Sequence, residues 1–254
     1  FREDALRILR ALRFSSVLGF SIEEKTAQAA IDCRALLSRI ASERVRSEFS
    51  SLLCGPGVER VLMDYVEIIA VFIPEIVPSI GFSQNNYHHI YDVWEHTVHS
   101  VAAVEPELVL RLVMLLHDLG KPHSYTEDVD GVGHFYGHPM ISTGIAGGVL
   151  LRLRYDRSLI RQVCTLVEYH DSHLFPTENS VRRWLNRLGE ENLRLLIRVK
   201  RADNLAQSPD WRGRQDELRQ TQEILEQVLR EKKAFSREML AVRGTDMIAL
   251  GADG

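Results

Sequence analysis

Leu108-Val109-Leu110-Arg111-Leu112-Val113-Met114-Leu115-Leu116-His117-Asp118-Leu119-Gly120-Lys121-Pro122 is the stretch that decides how this chain is read. It predicts a helix that is apolar nearly all round, hence buried, with an imidazole and a carboxylate in its last turn before glycine and proline end it. Burying a charge without compensation costs several kcal/mol, roughly, so the pair must meet a cation, a metal or dense hydrogen bonding. Aspartate with neutral histidine suits a divalent metal of intermediate softness. In a chain with ten histidines a His-Asp dipeptide alone says little, and His170-Asp171 is a second one. The first is set apart by its buried helix, by the sequel Leu119-Gly120-Lys121-Pro122, and by further His and Asp residues at predicted helix ends on both sides.

At 254 residues, with 45% apolar and 26% charged side chains, the chain can bury a sizeable core as one large or two medium globular domains. No apolar run approaches the ~18 residues of a membrane span, so no membrane partner is expected. The chain opens on Phe1-Arg2-Glu3-Asp4, without methionine or signal peptide and already inside an amphipathic pattern, and is expected to be a fragment. Cys33, Cys54 and Cys164, widely spaced among apolar residues, argue for a reducing cytoplasm and against a disulfide framework. A net charge of −4 confines any nucleic-acid contact to local patches; arginines, whose planar fork suits phosphate and base edges, far outnumber lysines.

From the N terminus, Leu6, Leu9, Leu12, Phe14 and Val17 predict a helix over Glu3 to Leu18, stopped by a left-handed Gly19. Ser21 is read as the cap of a second helix from Ile22, and Ser42 as the cap of a third, Glu43 to Cys54. Gly55-Pro56-Gly57 breaks the third, and a fourth runs from Val58 to Phe72. The fold class expected is all-α.

Two of these segments resemble a known family. Glu3-Asp4-Ala5-Leu6-Arg7-Ile8-Leu9-Arg10-Ala11-Leu12-Arg13-Phe14, followed by Leu18-Gly19-Phe20, resembles the Glu-Asp-x-x-Arg motif helix of the class II tRNA nucleotidyltransferases (CCA-adding enzymes) and poly(A) polymerases. Ser42-Glu43-Arg44-Val45-Arg46-Ser47-Glu48 resembles the next motif, in their neck domain. The resemblance implies that Asp4 and Arg7 act as a protein template on the base edge of an incoming CTP or ATP, with Glu3 in support and Arg10 nearby. It also implies a catalytic head preceding residue 1, so residues 1–254 alone are expected not to add CMP or AMP; measurable addition would overturn this. The pairing is chemically sensible, since a carboxylate accepts from an exocyclic amino group, a guanidinium donates to ring nitrogen and carbonyl, and spacing i, i+3 puts both on one helix face. Taken alone, Asp-x-x-Arg also describes a surface salt bridge, and Arg2, Arg13 and Arg44 are phosphate contacts or a solvated face.

Residues Pro74 to Ile90, with Pro78, Gly81, Asn85 and Asn86, read as a linker rich in turn formers. Tyr87-His88-His89-Ile90-Tyr91-Asp92-Val93-Trp94-Glu95-His96-Thr97 then resembles the opening segment of an HD domain, and His117-Asp118-Leu119-Gly120-Lys121 the signature of the HD superfamily of metal-dependent phosphohydrolases. The resemblance makes His96 the first metal ligand, with His88, His89 and His99 as competitors and His99 on the wrong face. His117 and Asp118 follow, then Asp203 near the end of an apolar helix, Leu193 to Ala206, as the distal ligand, with Lys121 neutralising phosphate. Such a nitrogen and oxygen set fits Mn²⁺, Mg²⁺, Ni²⁺ or Fe²⁺ better than a closed thiolate zinc site.

Between these ligands, Asp128-Val129-Asp130-Gly131-Val132-Gly133 predicts a tight turn joining two short extended pieces. A helix over Ile141 to Leu153 contains Gly144, Gly147 and Gly148, which predicts close packing against a neighbour. His138 before it is either a site residue or, as a lone histidine at a helix start, a cap or packing residue. His170, in a helix over Ser158 to Asp171, stands behind the ligands or on the phosphate side, and Asp171 lies at the surface. Asn179 or Ser180 caps Val181 to Leu188, whose Arg182, Arg183, Trp184 and Arg187 offer an RNA-backbone contact or a solvated side. After Pro209-Asp210-Trp211, a charged helix from Gln215 to Lys233 with one apolar face reads as capping or partner-seeking, and Met239 to Gly251 resembles the family's tail.

The division expected is a neck over 1–75, an HD domain over 87–207 and a truncated helical tail over 208–254. The function expected is that of a C-terminal piece of a CCA-adding enzyme, contacting nucleotides and the tRNA 3′ end, with a metal-dependent HD phosphohydrolase-type site. The alternatives are a free-standing HD phosphohydrolase acting on nucleotides or 2′,3′-cyclic phosphates, and a binding module whose HD cluster is vestigial.

Overall fold

The computed structural model describes residues 1–85, 90–207 and 213–234, and the protein is all-α, with one short β-hairpin among the described residues. Helix α1 (Leu6–Leu18) starts where Asp4 Oδ1 accepts the Leu6 amide at 3.1 Å, and it ends on Gly19 at φ 75°. Its inward positions Ile8, Leu9 and Leu12 are fully buried, each burial contributing about 1.5–3 kcal/mol. Helix α2 (Glu24–Asp32) begins later than the Ser21 cap implies. Glu23 caps it instead, its carboxylate accepting the Thr26 amide at 2.8 Å. A carboxylate beside the positive helix end competes well with a hydroxyl two residues earlier.

Helix α3 (Ser42–Leu53) contains Ser42 as its first residue, and its cap position is Ala41, which has no side-chain acceptor. It lies along α1, tied by Arg13 Nε to Glu48 Oε2 at 2.6 Å and by Ser16 Oγ to the Leu52 carbonyl at 2.7 Å. A Cβ at Gly55 would stand 2.6 Å from the Ser16 carbonyl carbon, so the Gly55-Pro56-Gly57 break is a close backbone crossing. The fourth predicted helix divides at Tyr65 (φ −125°, ψ 28°) into α4 (Val58–Asp64) and α5 (Val66–Ile69). The stretch read as a linker is partly structure: Pro74–Ser79 is a 3₁₀ turn, and Ile73 and Ile76 are fully buried. The competitors His88 and His89 lie outside the described residues.

Helix α6 (Val93–Ala103) carries a capping box: Asp92 Oδ1 accepts the Glu95 amide at 2.8 Å, and Glu95 Oε2 accepts the Asp92 amide at 3.2 Å. Helix α7 (Leu108–Leu116) is buried from Leu110 onward, Arg111 included, whose guanidinium donates to the Val101 carbonyl. A short α8 (Lys121–Ser124) leads to β1 (Thr126–Glu127) and β2 (Gly133–His134), antiparallel with Thr126 opposite His134, as the turn reading expects. Helices α9 (His138–Arg152) and α10 (Arg157–Tyr169) follow, the second capped by Asp156. Helix α11 (Glu178–Leu205) joins the two predicted helices across a kink at Gly189 (φ 77°, ψ 169°), and Thr177, not Asn179 or Ser180, caps it.

The glycines predicted to pack closely in α9 do not. A Cβ at Gly144 or Gly148 would meet nothing within 4 Å, and one at Gly147 only Cys164 Sγ at 3.6 Å. One apolar core runs from α1 into α11, joining the neck segment to the HD segment. Polar ties cross the same boundary, Ser50 Oγ with Tyr155 Oη at 2.8 Å and Arg152 with Glu75 at 2.7 Å. A second cluster lies between α11 and α12 (Arg214–Ala234), in which Leu225 and Val228 bury against Val181, Trp184 and Ile197. Of the two roles read for the last helix, this packing is the capping one. The tail from Met239 to Gly251 lies outside the described residues, and no described helix is long and apolar enough to cross a membrane.

Candidate functional site

Five helices deliver polar side chains to one point. The capping box sets His96 in the first turn of α6, facing inward and fully buried. His117 and Asp118 follow the end of α7, His138 opens α9, His170 caps the C terminus of α10, and Asp203 lies in the last turn of α11. Gly120 permits this assembly. A Cβ there would stand 2.4 Å from the His138 carbonyl and 2.7 Å from the Ser142 amide, so any side chain would push the start of α9 off the end of α7. The Gly120 amide donates to Ser142 Oγ at 2.8 Å and fixes the contact.

Around Asp118 the groups divide into two sets. Oδ2 faces His117 Nε2 at 3.2 Å and His96 Nε2 at 3.5 Å, and Asp203 Oδ1 closes that set at 2.9 Å from His96 and 3.5 Å from His117. Oδ1 faces His138 Nε2 at 3.3 Å and His170 Nε2 at 3.6 Å, and these two nitrogens are 3.1 Å apart. Each imidazole turns its Nδ1 to a backbone carbonyl: His117 to Met114 at 2.7 Å, His170 to Val167 at 2.7 Å, His138 to Phe135 at 2.9 Å and His96 to Ala206 at 3.4 Å. A carbonyl can only accept, so Nδ1 keeps the proton and the Nε2 lone pairs converge on Asp118.

Convergent lone pairs repel unless a proton or a cation lies between them. Burial alone would lower the His117 pKa, yet the Asp118 and Asp203 carboxylates raise it to about 10. Burial would likewise raise both carboxyls, but His117 with Lys121, and His117 with His96, hold Asp118 and Asp203 well below the usual carboxylate range. Burial pushes His170 down, keeping it neutral. Lys121 is 6% exposed, its Nζ 2.7 Å from Asp118 Oδ2 and 2.8 Å from Gln84 Oε1. His117 Nε2 and Asp118 Oδ2 are both buried and face each other at 3.2 Å.

These atoms fit divalent metal. Bonds of roughly 2.1 Å at right angles place neighbouring ligand atoms roughly 3 Å apart, close to the separations within both sets. His96, His117 and Asp118 form one group able to hold an ion, and Asp118, His138 and His170 another. The donors are imidazole nitrogens and carboxylate oxygens, while Cys33, Cys54 and Cys164 lie elsewhere. His-rich sets of this kind suit Mn²⁺, Fe²⁺ or Ni²⁺ more than Mg²⁺, which prefers oxygen.

The centre opens into a cleft of about 430 Å³. Its walls include Lys121, Asp171, Asp203 and the segment Val132–His138. Sequence reading missed a support behind this wall. Gln84, 2% exposed, was inside the presumed linker, and the Gly133 amide donates to the Asn85 carbonyl at 2.9 Å, docking the hairpin on that segment. A lone glutamine among turn formers carries no periodic signal. His99 pairs with Glu59 at 3.1 Å, away from the centre.

On α1, Arg7 and Arg10 are exposed and Asp4 is partly so. Arg7 lies 3.6 Å from the exposed Glu3 and Arg44 lies 3.5 Å from Asp4 Oδ2, both loose surface contacts worth little. Arg13, by contrast, is engaged with Glu48.

Comparison with known proteins extends these observations. A family described as "Probable RNA and SrmB- binding site of polymerase A" matches residues 19–79, and the HD domain family matches residues 86–208. The chain is 34% identical over 202 residues to the A-adding tRNA nucleotidyltransferase of Deinococcus radiodurans, covering 74% of this chain and 46% of that protein. It is 31% identical over 256 residues to the CC-adding tRNA nucleotidyltransferase of Thermus thermophilus, covering 95% and 58%. A solved structure, the Bacillus stearothermophilus CCA-adding enzyme in complex with CTP, resembles the whole chain with a TM-score of 0.58 at 22% identity, over 54% of its own length. The chain thus spans about half the length of the relatives it matches.

Proposed function

Because the chain belongs to the tRNA nucleotidyltransferase family, matching its neck and HD region, we propose that its His-Asp centre is a metal-dependent phosphohydrolase site beside a nucleotide-templating helix. The observation that carries the hydrolase reading is the convergence of His96, His117, His138 and His170 Nε2 on the two oxygens of one buried carboxylate, with every Nδ1 turned to a backbone carbonyl. Asp118 bridges the two sets, and Asp203, 23% exposed in its side chain, closes the first at the cleft mouth.

His96, His117 and Asp118, and Asp118 with His138 and His170, would hold a divalent ion, which would supply Lewis acidity toward water and phosphate. The chain's own groups do the rest. The backbone carbonyls orient the imidazoles, Asp118 and Asp203 balance the cation's charge, and Lys121, held by Gln84, supplies a fixed positive charge at the cleft wall. Water adds to phosphorus and the ester oxygen leaves with a proton, so a phosphomonoester yields an alcohol and inorganic phosphate. A 2′,3′-cyclic phosphate opens by the same addition to a monoester. The substrates proposed are phosphates at RNA 3′ ends or on nucleotides.

In the whole protein, Asp4 and Arg7 template the base of CTP or ATP, with Glu3 and Arg10 beside them, and the segment 19–79 binds tRNA. The exposure of Arg7 and Arg10 supports this reading. The test of the hydrolase is metal analysis of the purified protein with phosphatase assays of wild type and Asp118→Ala. Bound metal and a metal-dependent activity lost in the variant are expected; wild type that takes up no metal sinks the reading. Arg7→Ala is expected to weaken CTP and ATP binding by the intact enzyme without touching phosphatase activity.

A further inference from the structure

The cleft carries a feature that phosphate hydrolysis alone does not require. Tyr136 lies on its wall, 77% exposed. Its ring is stacked on His134 with planes 10° apart and centroids 5.3 Å apart, and its hydroxyl is 3.4 Å from His134 Nδ1. His134 is fixed in turn by Asp128, whose Oδ2 lies 2.9 Å from Nε2. Asp128 is locked by the amides of Asp130 and Val132, which donate to its Oδ1 at 3.0 and 2.9 Å. A flat aromatic face is therefore held in place from one side and left open on the other, beside the carboxylate and imidazoles of the centre.

We infer that Tyr136, backed by His134, is a nucleobase platform, so that the cleft selects a nucleoside phosphate over a phosphomonoester without a base. This rests on the phosphohydrolase reading and assigns the residue that would meet the base of the substrates proposed there. A solvated tyrosine gains little by stacking on a histidine at the surface, but a purine or pyrimidine laid on the open face gains the stacking energy of one base. The platform is rigid before the ligand arrives, so little ordering entropy opposes binding. A cleft of about 430 Å³ is within the roughly 300–1,000 Å³ of small-ligand sites.

The experiment compares adenosine 3′-monophosphate with glycerol 2-phosphate, which carries phosphate but no base, on metal-loaded wild type, Tyr136→Ala, Tyr136→Trp and Phe175→Ala. Phe175 lines the adjoining hollow, not the wall with Tyr136. Tyr136→Ala is expected to raise KM for the nucleotide roughly 5- to 150-fold, leaving kcat and the glycerol phosphate KM unchanged. Tyr136→Trp restores the nucleotide KM, and Phe175→Ala leaves it alone. Equal effects on both substrates, or none on either, overturn the platform while the hydrolase reading stands. A second readout is independent of turnover: 4-thiouridine 3′-monophosphate is photocrosslinked to wild type and the attachment site mapped. Crosslinking at Tyr136 supports the inference even if neither substrate is hydrolysed, in which case only the hydrolase reading fails; attachment elsewhere overturns it.

Discussion

Replacing Gly120 by alanine tests how the centre is assembled. The new Cβ would lie 2.4 Å from the His138 carbonyl oxygen, 2.7 Å from the Ser142 amide and 2.8 Å from Ser142 Oγ. Two of these neighbours are backbone, so no rotamer change relieves the clash, and the first turn of α9 must move away from the end of α7. Overpacking of this kind costs about 1–3 kcal/mol. At about 2–4 °C per kcal/mol for a chain of this size, Tm falls by about 2–12 °C. The same shift carries His138 away from Asp118 Oδ1, now 3.3 Å distant, so the His138–His170 set loses metal before the His96–His117 set does. Thermal denaturation of metal-free protein gives the first quantity and metal titration the second. Gly148→Ala is the control, because its Cβ meets nothing within 4 Å. Lying within a helix, that substitution is expected to stabilise by about 0.5–1 kcal/mol. Gly120→Ala with wild-type Tm and wild-type metal stoichiometry would refute the reasoning.

Other outcomes follow from the same geometry. His170→Ala is expected to halve the metal stoichiometry while His96→Ala removes the other half; loss of all metal from either variant would show a single site. Metal-free protein should be most stable between roughly pH 4 and 6.5. His117, raised to about 10, contributes stability in full below its unfolded value of about 6.5 and loses it as pH climbs to 10, whereas the lowered Asp118 and Asp203 lose theirs in acid. Added metal replaces the His117 proton, so it should raise Tm most at the alkaline end; a metal-free Tm flat from pH 6.5 to 10 contradicts the charge pairing. Leu225→Ala opens a cavity between α11 and α12, where Leu225 is fully buried, and should cost about 2–5 kcal/mol. A chemical-denaturation change below 1 kcal/mol would mean that α12 does not cover that cluster.

What could be read in one dimension was whatever a local rule governs. The helix of α1, the apolar run of α7, the stop at Gly19 and the hairpin around Gly131 follow from spacing and turn chemistry within a few residues, although Phe14 and Val17, read with the apolar side of α1, are exposed; His96 and Asp203 were singled out by resemblance to the HD motif. Caps were less legible, since Glu23 and Thr177 compete with nearby serines and the winner depends on which orientation the core accepts. Glycine meaning was misread for a similar reason. Three glycines in α9 suggested a crowded helix, but the crowded ones are Gly55, Gly120 and Gly133, each facing backbone from a distant part of the chain.

An all-α chain was legible along the polymer because helical period is a local property, whereas the residues proposed to carry chemistry came from the resemblance of Glu3–Phe14 and His117–Lys121 to family motifs. It took the packed fold to show that a stretch resembling a linker brings Gln84 to Lys121, that His138 and His170 form a second set on the far oxygen of Asp118, and that Tyr136 lines the cleft. Gln84 and Lys121 are 37 residues apart and His138 and His170 are 32, and such distances are set by how whole helices pack, which no neighbour in sequence encodes.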